Sequence, residues 1–413
     1  MTRGAETRYT GHVPATEDVP AAAVPSLDLD PFSNDNLSDP YAAYRQIREA
    51  GPVVSLPRYG ILALGRHHDV RRVLHDVRTF ISSAGVGLAD LRAAPGVRSP
   101  SIVLEADPPA HTRPRAVLTR ILSAEAIEVL RGSFRQVARR LVTQLLERSQ
   151  IDAIADCARA FTLQVFPDAV GIGPEMRENL LSYADFLFNA NGPKNHLFEA
   201  SAREAEPLAR WIMERCQRSA LCPGGFGDQI YQAEERGELE ANQAPLLVRS
   251  LLSAGVDTTI AAIGNALHGL ATHPQAWSLL RQTPALARHA FDEAVRYDSP
   301  APLAFRTASV RTEIAGCVIP EGRKLLLLFG AANRDPRRWL EPDRFNIERR
   351  PVGHLAFGSG IHACVGQLVA RVEAETLLEE LAERVEHLEL AGTPQRWLNN
   401  SVHAWGSLPL RLR

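Results

Sequence analysis

The run Phe357-Gly358-Ser359-Gly360-Ile361-His362-Ala363-Cys364-Val365-Gly366 decides how this chain is read. It is an aromatic, glycine-rich loop that delivers a cysteine to the start of a helix. Amides at a helix N-terminus stabilise a thiolate, and glycines let backbone N–H groups approach the sulfur and tune a bound metal. A cysteine taken alone is more often an inert core residue, but this setting suits a metal-ligating thiolate. The helix that follows carries Ala370, Ala374, Leu377, Leu378 and Leu381 on one face, with Glu373, Glu375, Glu379, Glu380 and Glu383 expected largely elsewhere. Its start points at whatever Cys364 binds. Strand-like runs at residues 324–329 and 385–390 flank it, so the pattern is mostly helix with a minor sheet component.

Further out, residues 245–272 predict one continuous helix, about 40 Å long at ~1.5 Å per residue. Leu246, Leu247, Leu251, Leu252, Ile260, Ile263, Leu267 and Leu270 leave it almost no polar face, so it must cross the interior of a large domain. Within it stands Ala254-Gly255-Val256-Asp257-Thr258-Thr259. A mid-helix glycine costs about 1 kcal/mol, and a buried carboxylate costs more unless partnered. Such local inconsistency marks a functional site. A plainer reading, with which function can coexist, has the Thr258 hydroxyl bonding a carbonyl four residues earlier and bending the helix.

The 413 residues, 45% of them hydrophobic, suit two or three ordinary domains or one unusually large one. Residues 1–25 read as a flexible arm without the apolar centre of a signal peptide, and no run of about eighteen apolar residues appears. A cytoplasmic protein without a membrane partner is the expectation. With 46 basic and 48 acidic residues, nothing points to nucleic acid. The five cysteines, Cys157, Cys216, Cys222, Cys317 and Cys364, are odd in number and lack a CxxC pair, which argues against a disulfide framework and a zinc site. Neither a dinucleotide fingerprint nor clustered cysteines for an iron-sulfur centre is present, so electrons for any redox step must come from another protein.

The Phe357 to Gly366 loop resembles the haem-binding signature of bacterial cytochromes P450, with its Phe, Gly, Gly, His, Cys and Gly positions filled. Glu293 and Arg296, in Glu-Ala-Val-Arg, resemble that family's Glu-x-x-Arg pair, and Arg344 in Pro-Asp-Arg-Phe its third member; the plainer reading is an exposed helical salt bridge. The resemblance covers residues 26–413. It implies a single domain, mainly α with a small β lobe, a triangular prism around buried haem b with Cys364 as axial ligand. It places Phe357, Gly358 and Gly366 around that ligand, and His111, Arg115, Arg306 and His362 on the haem propionates, which need cationic or hydrogen-bonding partners. Gly255 to Thr258 then forms the oxygen-binding groove, with the Thr258 hydroxyl and the Asp257 carboxyl relaying protons. The implied activity is that of a monooxygenase using O2 and electrons from a [2Fe-2S] ferredoxin and its reductase. Arg334, Arg337, Arg338, Arg344, Arg349 and Arg350 precede the Cys364 loop and are expected to include a basic docking face.

Residues 99–107 and 246–259 resemble most the bacterial P450 subfamily that oxidises para-substituted benzoates, as in 4-methoxybenzoate demethylation. That resemblance implies a substrate carboxylate held by Arg98, Ser101, Ser250 and Ser253, with Arg249 nearby. A carboxylate entering an apolar pocket needs charge-assisted hydrogen bonds to offset desolvation. The alternative makes Arg98 a solvated charge and the serines small packing residues. Leu104 and Phe188 are expected pocket walls. Ala301, Ala304 and Asn191 stand where relatives carry a branched aliphatic and two phenylalanines, which widens the pocket toward a bulkier, longer or meta-substituted aromatic acid. Hydroxylation or oxidative O-demethylation of such an acid is the implied reaction. The rivals are a P450 acting on another small hydrophobic substrate, a peroxide-driven peroxygenase, and a haem-thiolate sensor without turnover.

Overall fold

The apolar segments fold mostly into packed helices, with β-structure confined to small sheets, in a computed structural model that describes residues 24–93 and 100–413. The helices that position the site are α1 His67–His75, α2 Thr112–Ile121, α3 Ala124–Leu146, α4 Asn179–Asn189, α5 Ala244–Gly255, α6 Asp257–Thr272, α7 Ala287–Tyr297 and α8 Gln367–Arg384. The largest sheet contains β1 Val54–Leu56, β2 Ile61–Leu64, β3 Phe80–Ile81, β4 Leu303–Ala308 and β5 Lys324–Leu328, in the order β1-β2-β5-β4-β3. Only the β2–β5 pair is parallel. All five residues of β5 are buried, as expected of a central strand covered on both faces. Pro25, at the expected end of the arm, already joins the fold, its carbonyl accepting the Ser55 N–H at 2.8 Å.

One hydrophobic cluster runs from Val103 to Leu412 and takes in α5, α6, α7 and α8. The long apolar helix is not continuous. It breaks at Val256 (φ −97°, ψ −67°), giving α5 and α6 end to end. At the break the carbonyls of Ala254 and Gly255 accept from the Thr258 and Thr259 hydroxyls at 2.8 and 2.9 Å. Side-chain hydroxyls that capture backbone carbonyls one turn back compete with the helical ladder and bend it.

The glutamates of α8 also depart from expectation. Glu373, Glu375 and Glu380 are buried, and α3, packed along α8, brings arginines to the last two. Arg131 pairs with Glu375 at 2.9 Å and Arg139 with Glu380 at 3.2 Å. Glu373 has no hydrogen-bond partner among the described residues, and burial alone holds its carboxyl well above the usual range.

Candidate active site

The Cys364 loop is fixed by backbone geometry before any ligand is considered. Gly358 (φ 67°) and Gly360 (φ 74°) occupy the left-handed region, and a Cβ on Gly360 would sit 2.5 Å from the Leu74 carbonyl at the end of α1. The Cys364 N–H donates to the Phe357 carbonyl at 2.8 Å. The surrounding protein raises the thiol, while the Gly366 amide, the Arg115 and Arg371 guanidiniums and the Gln367 amide lower it. The Arg371 guanidinium stacks 4.5 Å from the Phe357 ring centre and bonds Asp292 at 2.8 Å, while His75 bonds the Ser359 hydroxyl at 2.7 Å.

Behind the loop, Arg296 is fully buried and grips Glu293 with two bonds, Nε to Oε2 at 2.7 Å and Nη2 to Oε1 at 2.8 Å. Its remaining donors go to the carbonyls of Asn333, Pro342 and Arg344. The third charged member is therefore not Arg344. The Arg344 side chain pairs with exposed Glu341 at 3.2 Å, and it is Arg349 Nε that reaches Glu293 Oε1 at 3.1 Å. Asn333 extends this network to the loop, donating to Ser299 and accepting the Leu355 N–H at 2.6 Å.

The proposed basic docking face is mostly consumed in the same way. Arg334 is sandwiched between Tyr41 and Tyr297, 3.5 and 3.9 Å from the ring centres. Arg337 binds Glu49, Arg338 lies over Trp339 and binds the Val352 carbonyl, and Arg349 is spent on Glu293. Of the six arginines, Arg350 alone makes no side-chain bond among the described residues.

Four basic side chains come together near the loop with little negative charge to balance them. His111 lies 4.5 Å, ring centre to ring centre, from His362. His111 Nε2 and both ring nitrogens of His362 are buried without a partner among the described residues. Burial, then Arg306 and His111, push His362 down to about 3, and burial lowers Arg306 to about 10. The guanidinium of Arg306 donates only to the Phe305 carbonyl at 2.7 Å. Asp107 is the acid that faces this group, and its two oxygens already accept the Ser82 and Ser83 amides at 2.9 and 3.0 Å. Buried donors left unpaired cost free energy until an acceptor arrives. A planar dianion such as haem, held by the Cys364 sulfur and bonded through its propionates to His111, Arg115, Arg306 and His362, fits that deficit.

On the helix side, Gly255 has a packing reason of its own: a Cβ there would lie 2.3 Å from the Phe166 ring. Burial, then the Asp185 carboxylate, hold Asp257 well above the usual carboxylate range, and Arg159 offsets part of this. Ser101 and Ser250 meet, Oγ to Oγ, at 3.2 Å. Ser250 donates to the Leu246 carbonyl, and the Ser101 oxygen accepts the Val103 and Leu104 amides, so Ser101 is the donor to Ser250, and turning its hydrogen to a ligand gives up only that contact. Ser253 contacts the Ser250 carbonyl at 3.5 Å, and Arg249 is buried with Nη2 on the Pro100 carbonyl at 3.1 Å. Arg98 lies outside the described residues.

The segment after α4 is clamped from both sides. The Leu88 N–H donates to the Asn191 carbonyl at 2.8 Å, and a Cβ on Gly87 would meet the Asn191 Cα at 2.7 Å. A Cβ on Gly192 would meet the Asn400 side chain, which itself bonds Asn195 at 2.8 Å. The carbonyl of Phe188 accepts from Ser401 at 2.7 Å. Ala304 sits on β4 opposite Leu327, with Ala301 in the turn just before, and Leu104 is partly exposed. Sequence reasoning missed Arg349, Asn333 and Lys324. Lys324 had a signal, being the one charge in an apolar strand; its buried ammonium holds the carbonyls of Ala84 and Gly85 at 2.9 and 2.7 Å.

The chain matches the family model described as cytochrome P450 over residues 222–401. It is 49% identical to cytochrome P450 CYP199A2 of Rhodopseudomonas palustris over 392 residues, 95% of each chain. It is 32% identical to cytochrome P450 107B1 of Saccharopolyspora erythraea, covering 90% of this chain and 94% of that one. Among solved structures, cytochrome P450 CREJ in complex with (4-ethylphenyl) dihydrogen phosphate superposes with a TM-score of 0.84 at 26% identity, covering 93% of this chain and 99% of that one.

Proposed function

The chain belongs to the cytochrome P450 family of haem-thiolate monooxygenases, and from that premise we propose that it hydroxylates or oxidatively O-demethylates an aromatic carboxylic acid in the cytoplasm, with electrons from a [2Fe-2S] ferredoxin and its reductase. The single observation that carries the substrate class is the meeting of Ser101 and Ser250 beside buried Arg249, midway along α5. Two hydroxyls and a guanidinium within an otherwise apolar helix surface suit one end of a carboxylate, and anchoring that end would aim the far substituent of the ring at the iron. Arg98 is expected to add a second cation.

Haem b, when bound, supplies the iron that activates O2 and delivers one oxygen atom to the substrate. The chain does the rest. Cys364 ligates the iron, and His111, Arg115, Arg306 and His362 hold the propionates. Thr258 Oγ1, now donating to the Ala254 carbonyl, turns to pass a proton that Asp257 supplies. Ala301, Ala304 and Asn191, in place of bulkier walls, leave room for an acid larger than 4-methoxybenzoate beside Phe188 and Leu104. For the electron donor, α1 packs against Gly360–His362 and turns Arg71, Arg72 and His75 outward. These replace the arginines of residues 334–350 as the basic residues beside the loop.

A visible difference titration of the ferric holoprotein tests the substrate class. Benzoates and larger aryl or cinnamic-type acids should convert low-spin to high-spin iron, with the larger acids binding tightly. Tight binding of simple para-substituted benzoates without binding of larger acids would remove the wide-pocket reading. No shift with any acid would remove the aromatic-acid reading and leave the haem protein.

A further inference from the structure

Lys324 is the one charged residue of the buried strand β5, and no carboxylate pairs with it among the described residues. A buried ammonium without an acid is costly where an apolar side chain would pack freely. Its donors go to two consecutive carbonyls, Ala84 at 2.9 Å and Gly85 at 2.7 Å. The two residues before these are held by the opposite charge, the Asp107 carboxylate taking the Ser82 and Ser83 amides at 2.9 and 3.0 Å. The run Ser82-Ser83-Ala84-Gly85 is thus clamped between an anion on its amides and a cation on its carbonyls. The next bonds run to expected pocket walls: Phe305, beside Ala304 on β4, donates its N–H to the Val86 carbonyl at 3.1 Å, and Leu88 donates to Asn191. On the Asp107 side the clamp leads to the serines. Glu105, two residues earlier, accepts the Ser101 N–H at 2.9 Å and returns its own N–H to the Ser101 carbonyl at 3.1 Å. The Ser101 hydroxyl then meets Ser250 on α5 at 3.2 Å.

We propose that Lys324 is a positioning residue for the substrate acid: by fixing the Ala84 and Gly85 carbonyls it seats residues 82–88 against Asp107 and so sets where Ser101 stands opposite Ser250. This deepens the reading of Ser101 and Ser250 as the hold on the substrate carboxylate, and rests on it. An ammonium grips two carbonyls more firmly than a neutral amine, because charge-assisted hydrogen bonds are about twice as strong. Protonation of Lys324 and binding of the acid therefore favour each other. The charges that face Lys324 among the described residues are Asp90 and Arg92 on the clamped loop, Glu105, and Arg306 on β4. Burial outweighs the two acids and pushes the ammonium down to about 8. The clamp is charged below that value and loses its charge as pH rises through it, so affinity for the acid falls in the same interval.

The experiment titrates the ferric holoprotein with 4-methoxybenzoate and with cinnamate, reading the spin-state shift at a series of pH values on either side of 8. In the parent, Kd should rise at least about threefold across that interval. Lys324→Met should weaken binding about tenfold at neutral pH and show no such rise. Lys324→Gln, whose amide keeps two donors but does not titrate, should fall between the two and stay level with pH; it carries the test if Lys324→Met does not hold haem. Imidazole, which ligates the iron directly and needs neither serine, should bind all three alike. In a Ser101→Ala background, Lys324→Met should cost at most about half of what it costs in the parent, because the two changes remove one hold. Unchanged acid binding in both Lys324 variants, full additivity with Ser101→Ala, or an equal loss of imidazole binding overturns the proposal and leaves the substrate reading standing. No spin-state shift with any acid in the parent overturns the substrate reading and the proposal with it.

Discussion

On the Cys364 side of the site, nearly every polar group is tied to a residue remote in sequence. Asn333 holds Leu355, Arg371 holds Asp292 and Phe357, His75 holds Ser359, and Gly360 is pressed on Leu74. At the break of the long helix the bonds are local: Thr258 and Thr259 satisfy carbonyls one turn back, and Asp257 bonds nothing among the described residues. The difference matches the two tasks proposed for these residues. A ligating sulfur must be held in one place, so its surroundings are over-determined. A hydroxyl and a carboxyl that pass protons must exchange partners, and short local bonds release them cheaply.

The largest effect should come from opening the rigid side. Arg296→Met removes both bonds to Glu293 Oε2 and Oε1 from the buried guanidinium, leaves the carboxylate only Arg349 and the Asn346 N–H, and should cost about 3–5 kcal/mol, read from denaturant melts of the holoprotein; a loss below about 1 kcal/mol would end the claim of over-determination. Besides His111 and His362, Glu373 is an exception on that side. Its folded-state carboxyl holds a proton at pH values where the unfolded chain has lost it, so stability falls as pH rises above the unfolded value of about 4.3. Glu373→Gln, which cannot ionise, should gain on the parent by up to about 1.4 kcal/mol per pH unit above that point, and the two melts should converge near about pH 4. A constant gap between the melts would show that Glu373 ionises in place. On the adjustable side, Thr258→Ala should lower product per electron by about tenfold or more and release peroxide, while the melting midpoint moves by less than about 0.5 kcal/mol. A large loss of stability there would mean that the helix break is structural first. The smallest contrast separates neighbours: Arg349→Ala should cost about 1–3 kcal/mol, and Arg344→Ala no more than about 0.5 kcal/mol.

The residues legible in sequence are those whose meaning is local. The Phe357 to Gly366 loop carries its own glycine geometry, and Glu293 and Arg296 face each other because they are three apart on one helix. Arg344 and Arg349 could not be told apart, since the choice depends on how residues 333–355 coil back over α7. The bend at Thr258 was legible in its hydroxyl, which does bond the Ala254 carbonyl, but not that the helix stops at Val256, because apolar periodicity continues on both sides of it. That α8 glutamates would be buried was not legible because the arginines of Glu375 and Glu380 lie on α3, Arg139 standing 241 residues before Glu380. In each case the missing information was a partner distant in the chain.

The clamp over Asn191 separates two properties that usually change together. Its contacts run through the Asn191 backbone, carbonyl to Leu88 and Cα against Gly87, so the side chain at 191 takes no part in either. On the proposed reading, in which residue 191 lines the substrate pocket, exchanging that side chain retunes which acid is accepted while the backbone clamp on Gly87 and Leu88 stays as it is, so selectivity is free to drift among descendants of this chain with the clamp inherited intact.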